Sequence, residues 1–211
     1  MNKIGILALQ GGVQEHAAHI SDCGHEPVFV KKPEHLKDVS GLIIPGGESS
    51  TLRKLLYQTG LDQEIKEKVK SGMKVWGTCA GAILCATNVV GEEPCLSLID
   101  IEIERNIFGS QLSSFTEEQV IPSISDKAVK LIFIRAPGIR KVLNGTKPLF
   151  ETRGVIVAAE NDRVLATSFH PELSPNREFH KYFISKCGLE PSEKDVPWDR
   201  TRWMRKKSKL K

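Results

Sequence analysis

The chain has 211 residues, 40% of them apolar and 27% charged, which is ordinary for a globular protein and leaves room for one domain rather than two. Its formal charge is +4, but seven of the 30 basic residues lie between Arg200 and Lys211, leaving 23 against 26 acidic residues, so the surplus belongs to a tail and not to a nucleic-acid-binding body. Five cysteines without C-x-x-C or zinc spacing exclude a disulfide scaffold, and the lack of any run of about 18 apolar residues excludes a membrane-spanning helix.

Residues 3–9 (KIGILAL) form a nearly continuous apolar run, which predicts a strand buried on both faces. Gln10-Gly11-Gly12 then turns the chain into a helix over 13–23, stopped by Gly24. His16 and His19 lie three apart on it; with only Glu15 nearby they are too few for a metal site, and a solvated or interface face is expected. Short strands follow at 26–30 and 42–44, then helices at 49–57 and 60–71, a strand at 73–76 and a helix at 80–86. This alternation with short connections marks a parallel sheet covered by helices. The pattern then changes. Residues 96–104 (LSLIDIEIE) alternate at period two, like a strand with one wet face. Further strands are expected at 120–121, 129–134, 154–159 and 163–169, and a closing helix at 176–185. The expected fold is α/β with a mixed, mainly parallel sheet in one domain over 1–188. Residues 189–211 lose periodicity and read as a basic C-terminal extension, disordered or packed on the body.

Three constellations fall at the carboxyl ends of strands, where doubly wound sheets hold their ligands. Gly77-Thr78-Cys79-Ala80-Gly81 places a cysteine between two glycines at a strand-to-helix turn. That is the cysteine counterpart of the G-x-S-x-G elbow, with the Ala80 N–H available for an oxyanion and the helix start favouring thiolate. A buried structural cysteine is the plainer reading of the same residues. His170-Pro171-Glu172 supplies a base and, two residues on, an acid to orient it. Pro45-Gly46-Gly47-Glu48-Ser49-Ser50 lets backbone approach a ligand, or is a glycine turn with Ser49 or Ser50 as helix cap. It lacks the lysine spacing of a phosphate-binding loop.

With these residues, the chain resembles the class I glutamine amidotransferases, and within them the glutaminase-subunit family of pyridoxal 5′-phosphate synthase. The resemblance runs from about Lys3 to Cys187 through LALQGGVQEH (7–16), LIIPGGESST (42–51), WGTCAGAIL (76–84), RNIFGSQ (105–111), FIRAP (133–137) and FHPEL (169–173). It implies a three-layer, flavodoxin-like fold and a glutaminase that feeds ammonia to vitamin B6 synthesis. Cys79 would be the nucleophile, His170 the base and Glu172 its orienter. Gly47 and Ala80 would hold the oxyanion. Gly46, Gly47, Glu48, Arg105, Ile134 and Arg135 would bind L-glutamine. Gln10 would lie at the interface with a separate (βα)8-barrel synthase subunit. No metal and no cofactor is implied, no membrane or nucleic-acid partner is expected, and a start without a cleavable pattern suits a cytoplasmic protein. Ser110 and Gly12 depart from the family's usual residues without touching the proposed triad. Two other readings remain: a related hydrolase of another pathway, and a non-catalytic binding module of the same fold.

Overall fold

The computed structural model describes residues 3–109 and 114–192. In chain order the elements are β1 (Lys3–Leu7), α1 (Val13–Asp22), β2 (Pro27–Val30), β3 (Val39–Ile44), α2 (Ser49–Thr59), α3 (Leu61–Lys70), β4 (Lys74–Thr78), α4 (Ala80–Cys85) and β5 (Ala86–Val89). They continue as β6 (Ile99–Glu104), β7 (Ser114–Ile121), β8 (Ser125–Ile134), β9 (Gly138–Val142), β10 (Lys147–Thr152), β11 (Val155–Glu160), β12 (Val164–Thr167) and α5 (Glu178–Lys186). Among these residues no helix is long and apolar enough to cross a membrane.

Ten strands form one sheet in the order β2-β1-β3-β4-β12-β11-β9-β6-β5, with β10 beside β11, while β7 and β8 make a separate hairpin. The pairings from β2 to β12 are parallel, those around β11 and β9 antiparallel, and β5–β6 parallel again. The expected change from parallel to antiparallel therefore occurs at β12, the strand that carries the His170 segment.

Period-two alternation sends neighbouring residues to opposite faces. Leu42 and Ile44 join Leu52, Leu56, Ile65 and Ile83 beneath α2, α3 and α4, whereas Ile43 and Trp76 join Ile20, Phe179 and Phe183 beneath α1 and α5. The result is three layers with two apolar interfaces. The hairpin covers the second face, where Phe115 stacks on Phe133 at 4.4 Å and Phe133 meets Phe169 edge-on at 5.6 Å. This aromatic series, worth about 0.5–1.5 kcal/mol per pair beyond burial, ties the hairpin to the strand end that holds His170.

Several expectations need correction. His16 and His19 are not on a solvated face; both are fully buried. The strands β5, β9 and β10 were not anticipated, and β7 was expected only at its last two residues. The first residues after Gly188 pack on the body: the Ser192 N–H donates to the Cys23 carbonyl at 3.0 Å and His25 bonds the Glu190 carbonyl at 3.0 Å. The rest of the expected extension, 193–211, lies outside the described residues, as does Ser110.

Candidate active site

Strands β3, β4 and β12 run side by side and in register, Ile44 opposite Gly77 and Thr78 opposite Thr167. Their carboxyl ends release three loops at one pole, which brings PGGES, Cys79 and HPE together. Beside them lies a cleft of about 370 Å³ lined by Gly47, Glu48, Cys79, Ala80, Arg105, Ile134, Arg135 and His170, with Asn106 and Pro137 among its other walls.

Cys79 sits at the turn between β4 and α4 with φ 49° and ψ −108°. A non-glycine residue there stores strain of about 1–3 kcal/mol. The turn is fixed from both sides: the Cys79 N–H donates to the Thr167 carbonyl at 2.8 Å, and its own carbonyl accepts from Ala82 at 3.1 Å. The flanking glycines answer to close approach. A Cβ on Gly77 would stand 2.5 Å from the Gly81 carbonyl, and one on Gly81 would strike the Ile44 carbonyl oxygen.

His170 follows β12, and its N–H donates to the Ile132 carbonyl of the hairpin at 2.8 Å. Glu172 reaches it from a 3-10 turn, Pro171–Leu173. Its Oε1 lies 2.8 Å from His170 Nδ1. That leaves His170 Nε2 for the cleft, whose wall the ring shares with Cys79. Burial disfavours charge on this ring, but the bonds with Cys79 and Glu172 and the fields of those two groups outweigh it and raise the pKa to about 10. Burial likewise works against ionisation of Glu172; its contacts with His16 and His170 prevail and hold the carboxyl below the usual range. Burial raises the thiol pKa at Cys85 and Cys95 and pushes Cys187 up to about 12, so these three remain inert thiols.

The backbone donors differ in what they do. The Gly46 N–H is spoken for by Thr78 Oγ1 at 3.1 Å. The N–H groups of Gly47 and Ala80 donate to nothing among the described residues, and both residues line the cleft beside Cys79. Gln10 lies outside the cleft, where its Oε1 accepts from the Glu48 N–H at 3.4 Å.

At the far wall Glu48, not Ser49 or Ser50, caps α2: its carboxylate accepts from the N–H groups of Ser50 and Thr51 at 3.2 and 2.6 Å. The Thr51 bonds lead in lowering its pKa to about 2. Arg105 bonds Glu48 at 3.3 Å and Glu92 at 2.7 Å, and Glu92 also holds Arg53 at 3.1 Å. Arg135, with φ 44°, closes the cleft beside Ile134, which is 39% exposed. Sequence reasoning missed Glu92, which follows no strand or helix signal, and Arg53, an ordinary position of the expected helix 49–57, and missed the roles of Thr78, His16 and His180 behind Cys79, His170 and Glu172. Among the described residues no group of three His, Cys, Asp or Glu side chains is arranged to hold a metal.

Such a site has the groups an acyl-transfer centre needs: a strained thiol, a histidine held by a carboxylate and N–H groups without acceptors among the described residues. The model of one family, described as the SNO glutamine amidotransferase family, matches residues 6–189. The chain belongs to the SNO glutamine amidotransferase family. Relatives include the pyridoxal 5′-phosphate synthase subunit PdxT of Syntrophus aciditrophicus, 50% identical over 97% of this chain and 94% of its own. The subunit PdxT of Clostridium beijerinckii is 48% identical over 86% of this chain and 96% of its own. A crystal structure of a glutamine amidotransferase superposes with TM-score 0.83 at 39% identity, over 88% of this chain and 99% of that one. This SNO-family chain therefore has the three-layer, mainly parallel amidotransferase fold that the sequence resemblance implied.

Proposed function

We propose that this chain is the glutaminase subunit of a pyridoxal 5′-phosphate synthase, releasing ammonia from L-glutamine for a separate synthase subunit. The observation that carries the reading is the strained Cys79 on the cleft wall beside a His170 whose Nδ1 is 2.8 Å from Glu172. In the mechanism, His170 Nε2 already holds the proton given up by the thiol, as its pKa of about 10 favours, when Cys79 Sγ attacks the side-chain amide carbon. The amide oxygen becomes an oxyanion held by the N–H groups of Gly47 and Ala80, each worth on the order of 3 kcal/mol in such a hole. His170 returns the proton to the nitrogen, the C–N bond breaks and ammonia leaves. The γ-glutamyl thioester is then attacked by water, whose proton passes to His170, and glutamate departs as the thiol is restored.

Arg105 and Arg135 suit the α-carboxylate of a free amino acid and Glu48 its ammonium group, while Gly46 and Gly47 let backbone approach the side chain. An exposed peptide substrate would want an open groove in place of this charged wall. The partner is read as a (βα)8 barrel docking over Gln10, whose bond to the Glu48 N–H lies one residue from Gly47. The catalytic domain is read as residues 1–188 with a C-terminal extension, in the cytoplasm. A glutaminase assay with and without the synthase subunit tests the reading. Wild type should release ammonia and Cys79→Ala should not; ammonia from Cys79→Ala at the wild-type rate would overturn it.

A further inference from the structure

Glu172 presents its two oxygens to two histidines on opposite sides. Oε1 bonds His170 at 2.8 Å. Oε2 is buried, has no donor within good hydrogen-bond geometry among the described residues, and faces His16 Nε2 at 3.5 Å. His16 comes from α1, is fully buried, and has its other nitrogen, Nδ1, 2.9 Å from Nε2 of His180 on α5. Burial pushes the His16 pKa down to about 4, so the ring is neutral and carries one proton.

The proton's position follows from counting partners. With the proton on Nε2, His16 points a donor at Glu172 Oε2, and its Nδ1 accepts from the His180 Nε2–H. His180 Nδ1, which has no partner among the described residues, is then a bare lone pair. With the proton on Nδ1, His16 Nε2 can only accept from the Thr78 hydroxyl at 3.4 Å, which serves the first arrangement equally well as an acceptor. His16 then turns a lone pair toward the carboxylate and leaves His180 with a buried N–H without an acceptor. An unmet buried donor costs about 1–3 kcal/mol, and the carboxylate loses its nearest support. The first arrangement is favoured on both counts.

We propose that His16 is a positioning residue of the reaction: its Nε2–H supports the second oxygen of Glu172, and His180 fixes the tautomer that makes this possible. The line runs His180–His16–Glu172–His170, from the core to the cleft. A neutral donor supports the carboxylate without competing with the His170 imidazolium for it, which a cation at this place would do. The groups facing His16 are Glu172 and His170 from the segment after β12, His180 from α5 and His19 on its own helix; Arg177, paired with Asp22 at 3.1 Å, adds positive charge to the same core. A separation of 3.5 Å is long for a hydrogen bond, as such contacts often are before substrate binds. This role rests on the glutaminase reading of Cys79, but its main test does not use glutamine.

The test follows the His170 ring by NMR titration in the isolated chain, in wild type, His16→Leu, His16→Gln and His180→Phe. His16→Leu removes the donor, and the His170 midpoint should fall by about one pH unit, a tenfold loss of preference for the imidazolium. His16→Gln keeps an N–H within reach and should return the midpoint to the wild-type position. His180→Phe keeps an aromatic ring on Trp76 but frees the tautomer, and should shift the midpoint in the same direction by less; it carries the test if His16→Leu does not fold. With the synthase subunit, kcat for glutamine should fall about tenfold in His16→Leu with KM little changed. An unchanged His170 midpoint in His16→Leu and His180→Phe, or a His16→Gln variant as impaired as His16→Leu, would overturn the role. Absence of glutaminase activity in wild type would instead count against the reading of Cys79.

Discussion

Glu172 has a histidine on each side, and the protein treats the two in opposite ways. His170, on the cleft side, is raised to about 10, while His16, on the core side, is lowered to about 4. Both rings touch the same carboxylate, so the carboxylate alone does not set their charge. His170 also has Cys79 and a 13% exposed side chain. His16 has no solvent, and its other neighbours include a tryptophan, a second histidine and the Thr78 hydroxyl. One buried anion can sustain one cation; the second ring stays neutral and serves as a donor.

The sharpest way to break this contrast is at the cleft. Cys79→Ala should lose activity by about 10⁴-fold or more, measured as ammonia release with the synthase subunit present. Glu172→Gln leaves the shape but removes the charge both rings rely on, and should lower kcat by about 10²–10⁴-fold. If Glu172→Gln kept near-normal kcat, Glu172 would not orient the base.

Stability against pH sharpens the same contrast without substrate. The unfolded chain takes up protons near 6.5 that the buried rings of His16 and His19 refuse until about 4, so stability falls as pH drops through that window. Each ring can contribute up to about 3 kcal/mol to the loss. Glu172, held low, adds to it below its ordinary range. His170 has the opposite sign: its contribution is complete below 6.5 and is lost as pH rises through about 10. Urea denaturation at a series of pH values should therefore show midpoints falling on both sides of neutrality. A flat profile between 6.5 and 4 would mean that His16 and His19 are not buried as neutral rings. The smallest effect is expected at the half-exposed wall. Glu92→Gln loosens Arg53 and Arg105 together and should raise the KM for glutamine about twofold to fivefold with kcat little changed.

The parallel half of the sheet was legible because β1, β3 and β4 are buried on both faces and read as apolar runs such as LII at 42–44, with glycine close behind. The later strands were not. β7 (SFTEEQVI) buries only Ile121, and β5 is four residues long, too short for periodicity to speak. At the site, Cys79, His170 and Glu172 announced themselves because each chemistry is local in sequence: an elbow, and two residues two apart. His16 and His180 could not, since they meet across 164 positions and each alone is an ordinary helical residue. Glu48 was legible as a helix-start residue only once α2 began at Ser49 and its carboxylate was seen to cap it.

The central claim is that ammonia is released through a covalent bond to Cys79. Its most direct test is acid quenching of the chain with its synthase subunit during glutamine turnover, followed by intact and peptide mass analysis. A γ-glutamyl adduct on the peptide carrying Cys79, appearing with ammonia and absent in Cys79→Ala, is the expected result. Ammonia released at full rate by Cys79→Ala, with no adduct on the wild-type thiol, would contradict it.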